Sequence, residues 1–322
     1  MRTYVLRRIL QTIPLLLGIS LITFLLLQLA PGDFLNQMAE NPGISAETIE
    51  AMRVRFGLDK PWYIQYAIYL RNVLFHFDFG QSFARHQPVF EVIREGFTNT
   101  LILAGAAAFI TWVLAIPLGV LAAVKQHSWI DRALSFLAFI WLSVPEILAA
   151  LLLLMFAART GWFPVGGMRS LDYDELDGIS QVFDILHHLA LPALVVGLIP
   201  LASRMRQMRG SLLDVLRLDY VTTARAKGLS ERTVIVKHAL RNALNPMITL
   251  FGYTLGALVS GSFIVEIIFS WPGLGRITLD AILTQDQYLV MGSVLMASVV
   301  LILGNLIADL LLAVADPRIS YD

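Results

Sequence analysis

Six stretches of this chain hold no Lys or Arg and, apart from Glu146, no Asp or Glu, over 19 to 29 residues each. They are Ile9–Gly32, Gly96–Val124, Ala133–Ala158, Ile185–Ser203, Asn242–Val265 and Gln287–Ala308. A helix rises ~1.5 Å per residue, so about 20 apolar residues cross the ~30 Å hydrocarbon layer of a bilayer. Backbone N–H and C=O groups find no water at that depth, and a helix satisfies them within one segment. The runs therefore predict an all-α integral membrane protein with six transmembrane helices, at residues 9–30, 99–124, 133–158, 187–203, 243–265 and 287–308. Composition agrees: 57% of the 322 residues are hydrophobic and 15% charged, against about 25% charged in a soluble domain. A mean hydropathy of +0.70 leaves too few polar side chains to cover a globular surface. Pro14, Pro117, Pro145, Pro192 and Pro200 lie inside four of the runs. Packed membrane helices tolerate proline, because neighbouring groups satisfy the freed carbonyl.

Lys and Arg favour the cytoplasmic side of a membrane. With the N-terminus inside, that side carries 15 basic residues, nine of them between Arg204 and Arg241, and the opposite side carries 9. Both termini, residues 1–8 and 309–322, are then cytoplasmic, as is the long segment 204–242. The external regions are 31–98, 159–186 and 266–286. The first run exceeds the roughly 7–15 residues of a signal-peptide core, so it reads as a retained anchor, and Arg7-Arg8 is not taken as a twin-arginine signal. The formal net charge is zero, whereas a nucleic-acid binder is normally basic. No cysteine is present, which excludes disulfides and thiolate chemistry.

The external region 31–98 contains helical patterns. Ser45 is placed to cap a short helix with Ile49, Met52 and Phe56 on one face and Gly57 at its end. Asp59 and Pro61 start a second, in which Trp62, Tyr66 and Tyr69 recur at helical spacing. Such a region either caps the bundle or docks an external partner. The next external loop carries Asp172, Asp174, Glu175, Asp177 and Asp184, and an acidic run of this kind is usually a solvated loop. In the inner segment, Leu212, Leu213, Val215, Leu216 and Leu218 alternate with charges at helical spacing. Asp219 is read as an N-cap, Tyr220–Lys227 as two helical turns, Gly228 as a left-handed terminator, and Ser230 as the cap of the next helix. Tyr220, Val221 and Ala224 then form a small apolar knob flanked by Arg217, Arg225 and Lys227. The same spacing suits an amphipathic helix lying on lipid headgroups.

Asp219-Tyr220-Val221-Thr222-Thr223-Ala224-Arg225-Ala226-Lys227-Gly228-Leu229-Ser230 resembles the cytoplasmic signature loop of permeases of binding-protein-dependent ABC importers, in the form of the dipeptide, oligopeptide and nickel group. Arg7-Arg8, Pro14, Phe24 and Pro31-Gly32-Asp33 look like that group's start, and Phe56-Gly57-Leu58-Asp59-Lys60-Pro61 and Phe79-Gly80-Gln81-Ser82 like its external region. Phe269, Pro272-Gly273-Leu274-Gly275 and Asp316-Pro317-Arg318 extend the resemblance nearly to the C-terminus. Departures from the general signature are Thr222-Thr223-Ala224 in place of Glu-Ala-Ala, Arg241 in place of a proline (the nearest is Pro246), and Phe34 after Pro-Gly-Asp.

The resemblance implies a type I ABC importer fold in a bacterial inner membrane. It implies a second homologous permease subunit, two cytoplasmic ATPase subunits and an external substrate-binding protein as partners, with peptides or similar small solutes carried. Asp219 to Leu229 would couple ATPase closure to the membrane helices, with Tyr220, Val221 and Ala224 buried against the ATPase and Arg225 and Lys227 at the rim. No cofactor, metal or catalytic residue is expected.

Other features stand beside that reading. Glu146 is the only acidic residue within a run, and a charge at mid-membrane marks either a pathway-lining or a paired structural carboxylate. His187-His188 near Asp184 are adjacent, which on a helix sets the rings ~100° apart and chelates poorly. Gly252 and Gly256, with Gly261 beyond, permit close helix contact. No Gly-x4-Gly-Lys-Ser/Thr, His-Glu-x-x-His or Gly-x-Ser-x-Gly pattern occurs. The alternatives are an ion-coupled secondary transporter and an intramembrane hydrolase using Glu146.

Overall fold

Four of the six apolar runs lie in helices long and apolar enough to cross a membrane in the computed structural model, which describes residues 2–30, 34–39, 45–55, 57–248, 250–251 and 262–315. Pro31-Gly32-Asp33, Phe56, Gly252, Gly256, Gly261, Asp316-Pro317-Arg318 and nearly half of the expected 243–265 span lie outside those residues. Two compact units form, one from residues 1–100 with 272–302 and the other from 101–271 with 303–322.

The first unit contains α1 (Arg2–Leu29), α2 (Phe34–Ala39), α3 (Ala46–Arg55) and α4 (Trp62–His76). Its Ser45 hydroxyl accepts from Thr48 N at 3.2 Å, as a cap at the start of α3 should. The aromatic pattern of the external region seats α4 on α1: the Tyr66 hydroxyl lies 2.8 Å from Ser20 Oγ, and the Tyr66 and Phe24 rings are 5.3 Å apart. Tyr69 and Val73 are buried with Phe24 and Met291. Burial, chiefly, raises the Tyr69 phenol pKa far above its ordinary range.

Helix α5 (Val89–Val124) is 36 residues long, about 54 Å and longer than a bilayer core. Its first turns pack Val89, Val92 and Ile93 on Leu274, Ile277 and Leu289 in the first unit. Asn99 Nδ2 donates to Pro272 O at 2.9 Å and Leu274 N donates to Thr100 Oγ1 at 2.8 Å, fastening the Pro-Gly-Leu-Gly turn.

In the second unit α6 (Trp129–Ser143) and α7 (Glu146–Thr160) both pack on α8 (Gly178–Leu216). The expected span 133–158 corresponds to this α6–α7 pair, bent by 103° where Pro145 suggests a kink. Proline disfavours helical geometry in the residue before it, and Val144, ahead of Pro145, is extended at ψ 123°. Pro192 and Pro200 stay inside α8, which runs unbroken for 39 residues. It begins nine residues before the expected span 187–203, capped by Asp177, whose carboxylate accepts from Ser180 N at 3.1 Å, and it continues well past Ser203. The Ser180 side chain, and after it that amide, hold the exposed Asp177 carboxyl below its usual pKa. Among the glycines of this unit, helix contact is tightest at Gly119 of α5, where a Cβ would lie 2.7 Å from Met205 O. Four described helices are long and apolar enough to cross a membrane, and five spans result if the bent pair counts as one.

Candidate functional site

The inner segment builds a compact platform at the end of α8. Arg217 and Leu218 turn the chain into α9 (Asp219–Ala226), followed by Gly228 at φ 79°. The helix starts one residue earlier than expected. Leu218 is the N-cap, without a side-chain bond, and Asp219 is the first helical residue. A carboxylate in the first turn still complements the positive end of the helix dipole. Lys227 lies beyond the last turn. Ser230 caps as expected, its hydroxyl accepting from Thr233 N at 3.4 Å.

Beyond Ser230 the chain runs through α10 (Glu231–Thr233), a π-helical turn (Val234–Ala239) and α11 (Leu240–Ala243). A π turn closes over five residues rather than four, which brings Val234 and Ala239 to the same inward face. No spacing rule for an α-helix would have paired them.

Val221 and Ala224 correct the expected knob. They are 0% and 7% exposed, packed in this chain's own core with Met208, Leu212, Val234, Ala239, Ala243 and Met247. They anchor α9 rather than facing outward, because a helix this short needs tertiary packing to persist. The exposed face carries Asp219, Thr222, Thr223 and Ala226 at i, i+3, i+4 and i+7, with Tyr220, Arg225, Lys227, Gly228 and Leu229 around it. Two ties hold the ends: Asn242 Nδ2 donates to the Tyr220 hydroxyl at 2.7 Å, and Arg225 pairs bidentately with Glu231 at 2.7 and 3.1 Å. The Arg225 hydrogen bonds lower the Glu231 carboxyl pKa and raise that of the guanidinium.

A second fastening lies between α6 and α8, and sequence reasoning missed it. Arg209 donates to Asp131 through Nε at 2.6 Å and Nη2 at 2.8 Å, and Asp131 also accepts from His127 N at 3.0 Å. Asp131 is buried, and the Arg209 hydrogen bonds outweigh that burial and hold its carboxyl below the usual pKa.

Glu146 is the first residue of α7, at the bend. It is half-buried and makes no ion pair or hydrogen bond among the described residues. His187 Nε2 lies 2.7 Å from Trp162 O and His188 Nδ1 2.9 Å from Asp184 O, so each imidazole is held by a different backbone carbonyl. Asp184 takes both the amide and the hydroxyl of Ser170. Burial opposes ionisation there, but these bonds prevail and lower its pKa. The acidic run thus closes its own loop and caps α8.

Residues 115–321 match the family described as "Binding-protein-dependent transport system inner membrane component", and residues 1–104 match the N-terminal region of such membrane components. The chain belongs to this family: it is a multi-pass inner-membrane permease subunit of a binding-protein-dependent ABC importer. It is 41% identical over 323 residues to the oligopeptide transport system permease protein AppB of Bacillus subtilis (strain 168), covering 100% of both chains. It is 40% identical over 338 residues to the dipeptide transport system permease protein DppB of Escherichia coli (strain K12), covering 100% of this chain and 99% of that one. Two solved forms of the inward-facing MetNI methionine ABC transporter share the fold. One has a TM-score of 0.54 at 18% identity over 70% of this chain and 97% of that chain, the other 0.50 at 20% identity over 69% and 97%.

Proposed function

We propose that this chain forms half of the translocation pathway for peptides, paired with a second homologous permease and driven by two cytoplasmic ATPases that receive Asp219–Leu229. An external binding protein delivers the substrate. The observation that carries this reading is the two-sided character of α9. Its Val221 and Ala224 are sunk in the core while Asp219, Thr222, Thr223 and Ala226 stand outward. A lever must be rigid on one side and free on the other, and α9 has both, clamped by Arg225–Glu231 and Tyr220–Asn242. Motion of an ATPase bound to the free face would reach Met208 and Leu212, and so α8, through packed side chains. The curated relatives named for oligopeptide and dipeptide transport supply the substrate class.

Gly228 provides the test. A Cβ there would meet nothing within 4 Å, so its only constraint is φ 79°, which β-branched residues resist and asparagine accepts. Gly228→Val in the reconstituted importer should insert normally yet lose most ATP-driven uptake of a labelled oligopeptide, whereas Gly228→Asn should keep it. Uptake by the valine variant equal to wild type would refute the coupling role.

A further inference from the structure

A cavity of about 550 Å³ opens between α6 and α8, away from the α9 platform. On α8, Ser203, Arg206, Gln207, Gly210 and Asp214 line it at i, i+3, i+4, i+7 and i+11, a helical stripe with Arg209 and Ser211 at its two edges. On α6, Phe139 and Leu142 line its other end. The stripe begins where the charge-free run of α8 stops, at Ser203, so the cavity straddles the level at which the chain passes from hydrocarbon to water. Exposed Phe136, Phe139 and Ile140 continue its apolar end along α6.

Arg206 is the free charge in this groove. Its guanidinium sits 4.5 Å above the centre of the Phe139 ring, and it has no acidic partner among the described residues. Stacking on a ring leaves the edge of the guanidinium, with its N–H donors, turned to a ligand. Arg209, three residues on, is already neutralised by Asp131. Asp214 lies two turns further, about 12 Å along the axis, and its carboxylate disfavours a second anionic group at the watery end.

We propose that this groove binds the phosphate of a phospholipid headgroup, on the Arg206 guanidinium with the Ser203 hydroxyl one turn away, and lays an acyl chain along Phe139, Leu142 and the exposed face of α6. The order of chemistry fits one molecule class: apolar wall, then a single unpaired cation, then an acid. Basic pockets between helices at a membrane surface are the known form of headgroup sites. The acid further predicts a preference for one phosphate over two.

The experiment uses the full-length protein in detergent with its co-purifying subunits, stripped of lipid. Binding of dioleoylphosphatidylglycerol, cardiolipin, inorganic phosphate and dialanine is followed by native mass spectrometry and by the melting midpoint. Phosphatidylglycerol should bind and raise the midpoint by a few degrees, and cardiolipin should bind more weakly. Arg206→Gln should weaken phosphatidylglycerol about tenfold or more, the loss of a charge-assisted contact. Phe139→Leu, which keeps the apolar wall but removes the ring beneath the guanidinium, should weaken it several-fold, and Asp214→Asn should raise cardiolipin relative to phosphatidylglycerol. Unchanged binding in both Arg206→Gln and Phe139→Leu overturns the proposal. So does equal stabilisation by inorganic phosphate, which would make this a soluble-anion site, or by dialanine, which would make it a station on the solute pathway.

Discussion

The strongest polar contacts join residues far apart in the chain. Arg209 and Asp131 are separated by 78 positions, and Ser82, whose hydroxyl donates to the buried carboxylate of Asp286 at 2.6 Å, by 204. Asp286 also accepts from Ala84 N at 3.1 Å and from Leu289 N at 3.2 Å, so one side chain ties the Phe-Gly-Gln-Ser loop to the start of the last long helix, α12 (Gln287–Ala315). Nothing in local spacing marks either acid, since each looks like an ordinary loop residue. Removing one partner of a buried pair strands the other, at a cost of about 3–5 kcal/mol when both are fully buried. Arg209 retains 26% side-chain exposure, so Asp131→Asn should cost less, about 2–3 kcal/mol, read as a lowered melting midpoint of the purified protein. The carboxyl pKa of Asp131 is depressed by Arg209. The stabilisation is therefore complete above the unfolded value of ~3.9 and is lost only as pH falls through the lower folded value. The melting difference between wild type and Asp131→Asn should be flat from pH 8 to 5 and shrink below about pH 4.

At the scale of elements, the hydropathy pattern located the long helices but not their ends or bends. It gave 187–203 as a span, whereas α8 runs from Gly178 to Leu216, because Asp177 caps it early and the core shared with α9 extends it late. Pro145 marked a kink within 133–158 but not its size, a bend of 103°. Pro192 has the same local chemistry but is buried inside α8, which continues through it. For α9 the spacing found the helix and its glycine stop, but not which face is inward. That depends on α8 and the π turn lying beneath it. Two substitutions separate the faces. Ala224→Leu overpacks the core and should cost about 1–3 kcal/mol of stability, seen as a melting shift. Ala226→Leu, on the exposed face, should leave melting unchanged while reducing recovery of the ATPase subunits with the permease in mild detergent.

At the scale of the whole molecule, the distribution of Lys and Arg makes a topological prediction. With both termini and residues 204–242 cytoplasmic, a fluorescent-protein fusion after Gly228 should fluoresce, and an alkaline phosphatase fusion after Arg169 should be active. The reverse pattern would overturn both the orientation and the placing of the α9 face opposite cytoplasmic ATPases. Membrane class, helical architecture, the α9 helix with its Gly228 stop and the family were all legible in the sequence, because each rests on local quantities: run length, residue spacing and contiguous motif. Helix lengths, the size of the bend at Pro145, the inward turn of Val221 and Ala224, and the ties at Asp131 and Asp286 were decided only by the tertiary structure. In hydrocarbon every helix is apolar on most sides, so hydropathy does not distinguish a lipid-facing surface from a packed one. That distinction arises only when a second helix arrives to cover one face and leave the other bare.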